Sequence, residues 1–82
     1  MFYVYFLRSV HFPDQTYIGL TDDLKARLKK HNGGGSIHTA RNAPWNLVAY
    51  TAFREKDRAV AFERYLKAGS GRAFAKRHLH GG

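Results

Sequence analysis

The sequence predicts an α+β fold, with a small three-stranded, mainly antiparallel sheet flanked by helices in the order ββαβαα. Short aromatic and β-branched runs predict the strands, and apolar residues repeat at helical spacing in two later segments. Runs of glycine, proline and polar residues separate these elements. The 82 residues are too few for two domains, so residues 1–82 are expected to form one domain around a single core.

Three segments predict the strands. Residues 3–7 are short and aromatic, which is typical of a strand buried on both faces. Residues 16–20 resume this character after a turn-forming stretch, so the two runs predict an antiparallel hairpin. Residues 45–53 predict the third strand.

The helices are predicted from their ends and their periodicity. Thr21 is a candidate N-cap, with Asp22 and Asp23 in the first turn, and this helix should run to about His31 before a stop at residues 32–35. The stretch 36–44 lacks periodicity and predicts a loop. A second helix should follow residues 54–57 and end near residues 67–69. A short last helix is predicted over residues 71–77, with Ser70 as its cap.

The charge balance favours a nucleic-acid partner. Fourteen Lys and Arg against six Asp and Glu give a net charge of +8 and a pI near 10.2, which is typical of small nucleic-acid-binding domains. The absence of cysteine excludes disulfides and thiolate zinc sites. No segment has the length of a membrane span, and the first residues lack the features of a signal peptide, so a cytoplasmic protein without membrane attachment is expected.

Charged residues interrupt the apolar stripe of each main helix. In the first helix Arg27 and His31 share a face with two leucines, and in the second Glu63 lies on the stripe of Phe62 and Leu66. Buried charge is unfavourable without a partner, so two interpretations stand. Arg27 and Glu63 either form an ion pair that closes the fold, or they belong to a ligand site.

The first two strands contribute phenols and a glycine. Tyr3 and Tyr5 share one face of the first strand, and Tyr17 and Gly19 share a face of the second. Strand tyrosines are usually packing residues. A glycine within a strand often marks a bulge or the close approach of a ligand.

Taken together, Tyr3-Val4-Tyr5, Tyr17-Ile18-Gly19, Arg27, His31 and Glu63 resemble, in order and spacing, the GIY-YIG nuclease superfamily. The resemblance covers roughly residues 2–68. Thr39 followed by Pro44-Trp45 looks most like the small stand-alone bacterial branch. The superfamily also includes the N-terminal module of the excision-repair incision subunit.

Two positions depart from the family pattern. Tyr3 stands where the first motif is named for glycine. Many members carry an asparagine about a dozen residues after the glutamate, whereas this chain has Ala75 near that position. The second departure predicts altered substrate positioning or a lower reaction rate.

The resemblance implies metal-dependent hydrolysis of phosphodiester bonds. Glu63 would hold one Mg²⁺ or Mn²⁺ that keeps most of its waters, since a two-metal site would need more acidic residues. Arg27 would hold a phosphate oxygen. Tyr17 is the leading candidate for the base, with Tyr5 orienting water, and Arg27, the metal and the positive field are expected to lower the pKa of the base. His31 would donate to the phosphate or assist proton transfer.

Nucleic acid, with DNA favoured over RNA, is the expected partner, and a protein partner could target so small a module. Salt-sensitive attachment is expected of a dispersed set of residues: Gly19, Lys25, Lys29, Lys30, Arg41, Lys67, Arg72 and Lys76. A role in DNA repair or recombination would follow.

Two other classes of function remain open from the sequence. The same basic surface suits a non-catalytic nucleic-acid-binding module, or a domain that docks an acidic protein. A histidine metal site is disfavoured, because His78 and His80 lie in the tail and His11 and His38 are isolated in predicted loops.

Overall fold

The computed structural model describes residues 1–69. It contains the following elements in chain order: β1 (Phe2–Ser9), β2 (Thr16–Thr21), α1 (Leu24–Asn32), α2 (Ile37–Ala40), β3 (Trp45–Phe53) and α3 (Lys56–Lys67). The α+β class and the three-stranded sheet are therefore confirmed. The helix predicted over residues 71–77 lies outside the described residues.

The sheet has the order β2-β1-β3, and both pairings are antiparallel. The central strand β1 places Tyr5 opposite Gly19 of β2 on one side and opposite Tyr50 of β3 on the other. Residues 4–7 are all buried, as predicted for a strand that packs on both faces. The middle of the sheet is thus the most solvent-protected part of the described fold.

The two main helices cover opposite faces of the sheet. Val4 and Phe6 pack in a cluster with Ala59 and Leu66 of α3. The alternate residues Tyr5 and Leu7 pack with Trp45, and the α1 leucines contact that second cluster. The charged residues on the apolar stripes of α1 and α3 are turned toward the sheet, but the two helices lie on opposite faces of it.

The first helix begins two residues later than predicted. Asp23, and not Thr21, is the N-cap, and its side chain accepts a hydrogen bond from the N–H of Ala26 at 3.1 Å. The Thr21 hydroxyl accepts from the N–H of Asp23 at 3.1 Å. This local turn competes with helix formation and delays the start of α1, so neither predicted aspartate lies in its first turn.

The predicted loop over residues 36–44 contains a short helix. Helix α2 has four residues, and the N–H of Ala40 donates to the carbonyl of Ser36 at 2.9 Å. One helical turn shows little periodicity in a sequence, which explains why the loop prediction was wrong here. In residues 1–69, no helix is both long and apolar enough to span a membrane.

Candidate active site

A chain of buried hydrogen bonds runs from β1 through α1 to α2. The phenol oxygen of Tyr5 lies 2.9 Å from Nε2 of His31, and Nδ1 of His31 lies 2.6 Å from Oγ1 of Thr39. The indole Nε1 of Trp45 donates to the backbone carbonyl of Thr39 at 2.9 Å. Tyr5, His31 and Thr39 are each only 1% exposed, so this chain is held within the packed interior.

Arg27 lies near this chain, and its positive charge favours the ionised form of the Tyr5 phenol. One arrangement satisfies all three side chains: the phenol O–H donates to Nε2 of His31, and Nδ1–H donates to Oγ1 of Thr39. Every polar group is satisfied in this arrangement, and no buried side-chain N or O atom in the described part of the chain lacks a partner.

Burial determines the protonation state of both rings. Burial, followed by the nearby Tyr17 phenol, raises the pKa of Tyr5 to about 12, although Arg27 acts in the opposite direction. Burial also lowers the pKa of His31, helped by the charges of Arg27 and Lys30. At neutral pH both rings are therefore uncharged. Arg27 does act to lower the pKa of Tyr5, as expected of a nearby cation, but desolvation outweighs this effect and the pKa is raised.

Of the two roles predicted for His31, the geometry disagrees with the phosphate contact. Both of its ring nitrogens are taken by Tyr5 and Thr39, which leaves neither for the phosphate contact expected from the sequence. Its geometry is that of a residue that holds the Tyr5 phenol in place.

Tyr17 lies beside this chain on the edge strand β2. Its ring centroid is 6.2 Å from that of Tyr5 and 5.1 Å from that of His31. Unlike Tyr5, Tyr17 is only half-buried. The three rings form one cluster, in which Tyr17 is the member with access to solvent.

Gly19 makes room for the Tyr5 ring. It is buried opposite Tyr5, and a Cβ at this position would overlap the phenol end of that ring. The close approach predicted for this glycine is real, but the group that approaches is Tyr5. The geometry gives no support for the predicted contact between Gly19 and nucleic acid.

Glu63 of α3 lies near enough to the site to act on Tyr5 through its charge. Its carboxylate contributes to the raised pKa of Tyr5, as the smallest of the causes. The side chain is 22% exposed and pairs with Lys67, with Oε2 and Nζ 3.5 Å apart. Within residues 1–69 the ion pair of Glu63 is with Lys67, so the Arg27–Glu63 pair considered from the sequence is wrong.

The predicted phosphate-binding cations are mostly exposed. Lys25, Lys29 and Lys30 lie along the exposed part of α1, and Arg41 follows α2. Lys67 is half-exposed beside Glu63. Arg72, Lys76 and the Ala75 position of the missing asparagine lie outside the described residues.

Thr39 belongs to the site, although no role was predicted for it from the sequence. Its hydroxyl fixes His31, and Asn32 fixes the neighbouring strand by accepting from the N–H of Trp45 at 2.6 Å. The resemblance had marked Thr39 together with Pro44-Trp45 as typical of one branch. That pattern was the available signal, and its physical basis is the hydrogen-bonded chain to Tyr5.

Known proteins share this fold and these motifs. A family model described as the GIY-YIG catalytic domain matches residues 1–77. The solution NMR structure of a UPF0213 protein from Bacillus halodurans superposes with a TM-score of 0.55 at 36% sequence identity, covering 93% of this chain and 81% of that chain.

Two kinds of curated relative agree with this match. The structure-specific endonuclease subunit SLX1 of Candida dubliniensis is 38% identical over 84 residues, which cover 94% of this chain but 28% of that protein. A UPF0213 protein of Lacticaseibacillus paracasei is 42% identical over 52 residues, covering 62% of this chain and 58% of that protein. The resemblance drawn from the sequence is confirmed, and the chain belongs to the GIY-YIG nuclease family.

Proposed function

We propose that this chain is an endonuclease that hydrolyses phosphodiester bonds in DNA in preference to RNA, with one divalent ion. The observation that carries the proposal is the buried chain in which Tyr5 is hydrogen-bonded to His31, with the charge of Arg27 acting on its phenol and the half-exposed Tyr17 beside it. A packing tyrosine does not require such a set of partners. The SLX1 relatives are named structure-specific endonuclease subunits, which also supports the assignment.

Electrostatics supplies the attachment to nucleic acid. The net charge is +8, and the exposed lysines of α1 lie on the helix that carries Arg27. Lysines of this kind bind phosphates with little sequence preference and with strong salt dependence. Arg27, half-buried at the site, is proposed to hold a non-bridging oxygen of the scissile phosphate with its planar fork of donors.

The two tyrosines are proposed to have different roles. Tyr17, acting as its phenolate, takes a proton from the water that attacks phosphorus. The bond from phosphorus to the leaving oxygen then breaks, and that oxygen takes a proton from solvent. Tyr5 keeps its own proton at neutral pH, and its hydrogen bond to His31 holds the phenol near Arg27, which would bind the phosphate.

The donor set fits a divalent ion that keeps most of its water. Glu63 offers one half-buried carboxylate, and the described residues contain no group of three or more His, Cys, Asp or Glu side chains placed to hold a metal. Mg²⁺ and Mn²⁺ accept such a site when the substrate phosphate is a further ligand. When bound at Glu63, the ion would lower the pKa of a coordinated water and neutralise phosphate charge.

Cleavage assays with a matched pair of glutamate variants test the proposal. Wild type, Glu63→Gln and Glu55→Gln are incubated with labelled branched and linear DNA and RNA in Mg²⁺, Mn²⁺ or EDTA. Glu55 is the control because it is an exposed glutamate at the other end of α3 that pairs with Arg58 at 3.1 Å.

We expect wild type and Glu55→Gln to cut DNA with a metal ion and not in EDTA. The cleavage rate of Glu63→Gln should fall at least about a hundredfold, because removing an electrostatic group from a catalytic site has an effect of that order. DNA binding by Glu63→Gln should persist. Binding without cutting by wild type would favour the non-catalytic module instead.

The biological setting is part of the same proposal. SLX1 relatives are named as subunits, which supports a protein partner that directs this chain to its substrate. A role in DNA repair or recombination accords with an endonuclease that recognises structure. Pull-down of a partner whose addition increases the cleavage of branched DNA would support this setting.

A further inference from the structure

An aromatic surface lies beside the candidate site and has no role in the chemistry described so far. Tyr50 of β3 is 54% exposed although it lies in the middle of a strand. Tyr3 of β1, at the position where the family motif is named for glycine, contacts it edge to face, with ring centroids 5.9 Å apart and planes at 68°. We refer to these two residues as the Tyr3–Tyr50 platform.

The register of the sheet places this platform next to Tyr5. Tyr50 is the direct cross-strand partner of Tyr5, so their side chains leave the same face of the sheet with Cβ atoms roughly 5 Å apart. Tyr3 is two residues from Tyr5 and shares that face. The α1 leucines pack with Tyr5, Leu7 and Trp45, whereas Tyr50 keeps about half of its surface open to solvent.

The exposed aromatic ring of this surface fits one kind of ligand. A strand whose phosphate is held at Arg27, near Tyr5, would bring its neighbouring nucleotide close to Tyr50. Stacking on an aromatic ring needs an open base face, which a nucleotide within a duplex does not offer. An unpaired base does offer it. The edge-to-face contact from Tyr3 would hold the Tyr50 ring in one orientation for this stacking.

We propose that the Tyr3–Tyr50 platform stacks an unpaired nucleobase next to the scissile phosphate, which selects strands with an unpaired nucleotide at the cleavage site. The proposal rests on the proposed nuclease function. Tyr50 is the stacking residue, and Tyr3 positions it. The departure of Tyr3 from the glycine of the family motif then contributes to substrate choice.

Binding measurements on two DNA substrates test the platform. One carries an unpaired 2-aminopurine beside a duplex junction, and the other has the same base paired within a duplex. Affinities of wild type, Tyr50→Thr and Tyr50→Trp are measured by fluorescence anisotropy in EDTA, with a denaturing gel to show that the DNA stays intact. Threonine removes the ring while keeping a residue that suits a strand.

Tyr50→Thr should bind the unpaired substrate about tenfold more weakly, within the range of base–aromatic stacking, and the duplex less than about twofold more weakly. Tyr50→Trp should retain both affinities and quench the 2-aminopurine fluorescence. Tyr65→Ala is the matched control, because Tyr65 is 44% exposed on α3, which covers the other face of the sheet. It should bind both substrates like wild type.

Equal losses on both substrates, or no loss on either, would overturn the platform. If Tyr50→Thr fails to fold, as judged by circular dichroism, the 2-aminopurine quenching by Tyr50→Trp decides the question alone. Cleavage assays separate this inference from the nuclease proposal. Cutting by wild type with unchanged Tyr50→Thr binding refutes the platform alone, whereas Tyr50-dependent binding without any cutting refutes the nuclease alone.

Discussion

Replacing Gly19 with alanine should displace the Tyr5 phenol. The added methyl group would overlap the phenol end of the Tyr5 ring, too close for any relaxed contact. Tyr5 is 1% exposed, so its ring has little free space into which it could move. Its hydroxyl is also fixed by the hydrogen bond to His31. Either this bond lengthens or the two strands move apart.

The size of the effect follows from packing. Adding a methylene to a packed core costs about 1–3 kcal/mol, against a gain of about 0.4–1 kcal/mol from stiffening the unfolded chain. A net loss of about 1–2 kcal/mol of unfolding free energy is therefore expected for Gly19→Ala. The cleavage rate should fall by about a hundredfold, because a displacement of about 1 Å in a catalytic group has that effect.

A double-mutant cycle isolates the contact. Unfolding free energies are measured in urea for Gly19→Ala, Tyr5→Leu and the double variant, since leucine lacks the ring atoms that the new methyl group would meet. In the Tyr5→Leu background the alanine should cost less than about 0.5 kcal/mol. Gly69→Ala is the control, because a Cβ there has no neighbour within 4 Å. Additive effects of Gly19→Ala and Tyr5→Leu would refute this account of the glycine.

Two further predictions concern His31, the hydrogen-bond partner of Tyr5. Thr39→Val should lower the unfolding free energy by about 1–3 kcal/mol, because Nδ1 of His31 loses its buried hydroxyl partner. Thr39→Ser keeps the hydroxyl and should stay near wild type. A valine variant that is as stable in urea as wild type would contradict this prediction. Folding lowers the pKa of His31, so the uncharged His31 ring contributes to stability above about pH 6.5. This contribution is lost as the pH falls through the pKa that His31 has in the folded state. Urea unfolding at pH 7.5 and 5 should show a smaller decline for His31→Gln, and an equal decline would count against the pKa shift.

Local pattern was enough to predict most of the fold. The aromatic and β-branched run of β1 and the helical stripes of α1 and α3 are local patterns, and the stripes placed Arg27, His31 and Glu63 on packed faces. Periodicity shows that a residue faces the sheet but not which side of the sheet it faces. It therefore could not show that α1 and α3 lie on opposite faces, which is why the Arg27–Glu63 pair was wrong.

The features that could not be predicted from the sequence depend on contacts between distant parts of the chain. Thr39 reaches His31 only because a single helical turn folds residues 37–40 beneath α1, and one turn has no visible period. The raised pKa of Tyr5 depends on how completely its neighbours in the fold bury it, and composition does not show this. Charge near a tyrosine was visible in the sequence, but the stronger effect of desolvation was not.

The order of strands in the sheet distinguishes the two site tyrosines. Tyr5 lies on the central strand, is covered from both sides and is bonded to His31, so it retains its proton up to a pKa of about 12. A group that keeps its proton so firmly cannot act as the base at neutral pH. Tyr17 lies on the edge strand, is half-buried and contacts the same rings, so water and a phosphate can approach it. We therefore expect Tyr5→Phe to disturb mainly the placement of Arg27, and Tyr17→Phe to remove the proton acceptor itself. In single-turnover cleavage at neutral pH, Tyr17→Phe should reduce the rate to that of the uncatalysed control, whereas Tyr5→Phe should lower the rate and leave measurable cleavage. The reverse pattern would assign the base to the central strand.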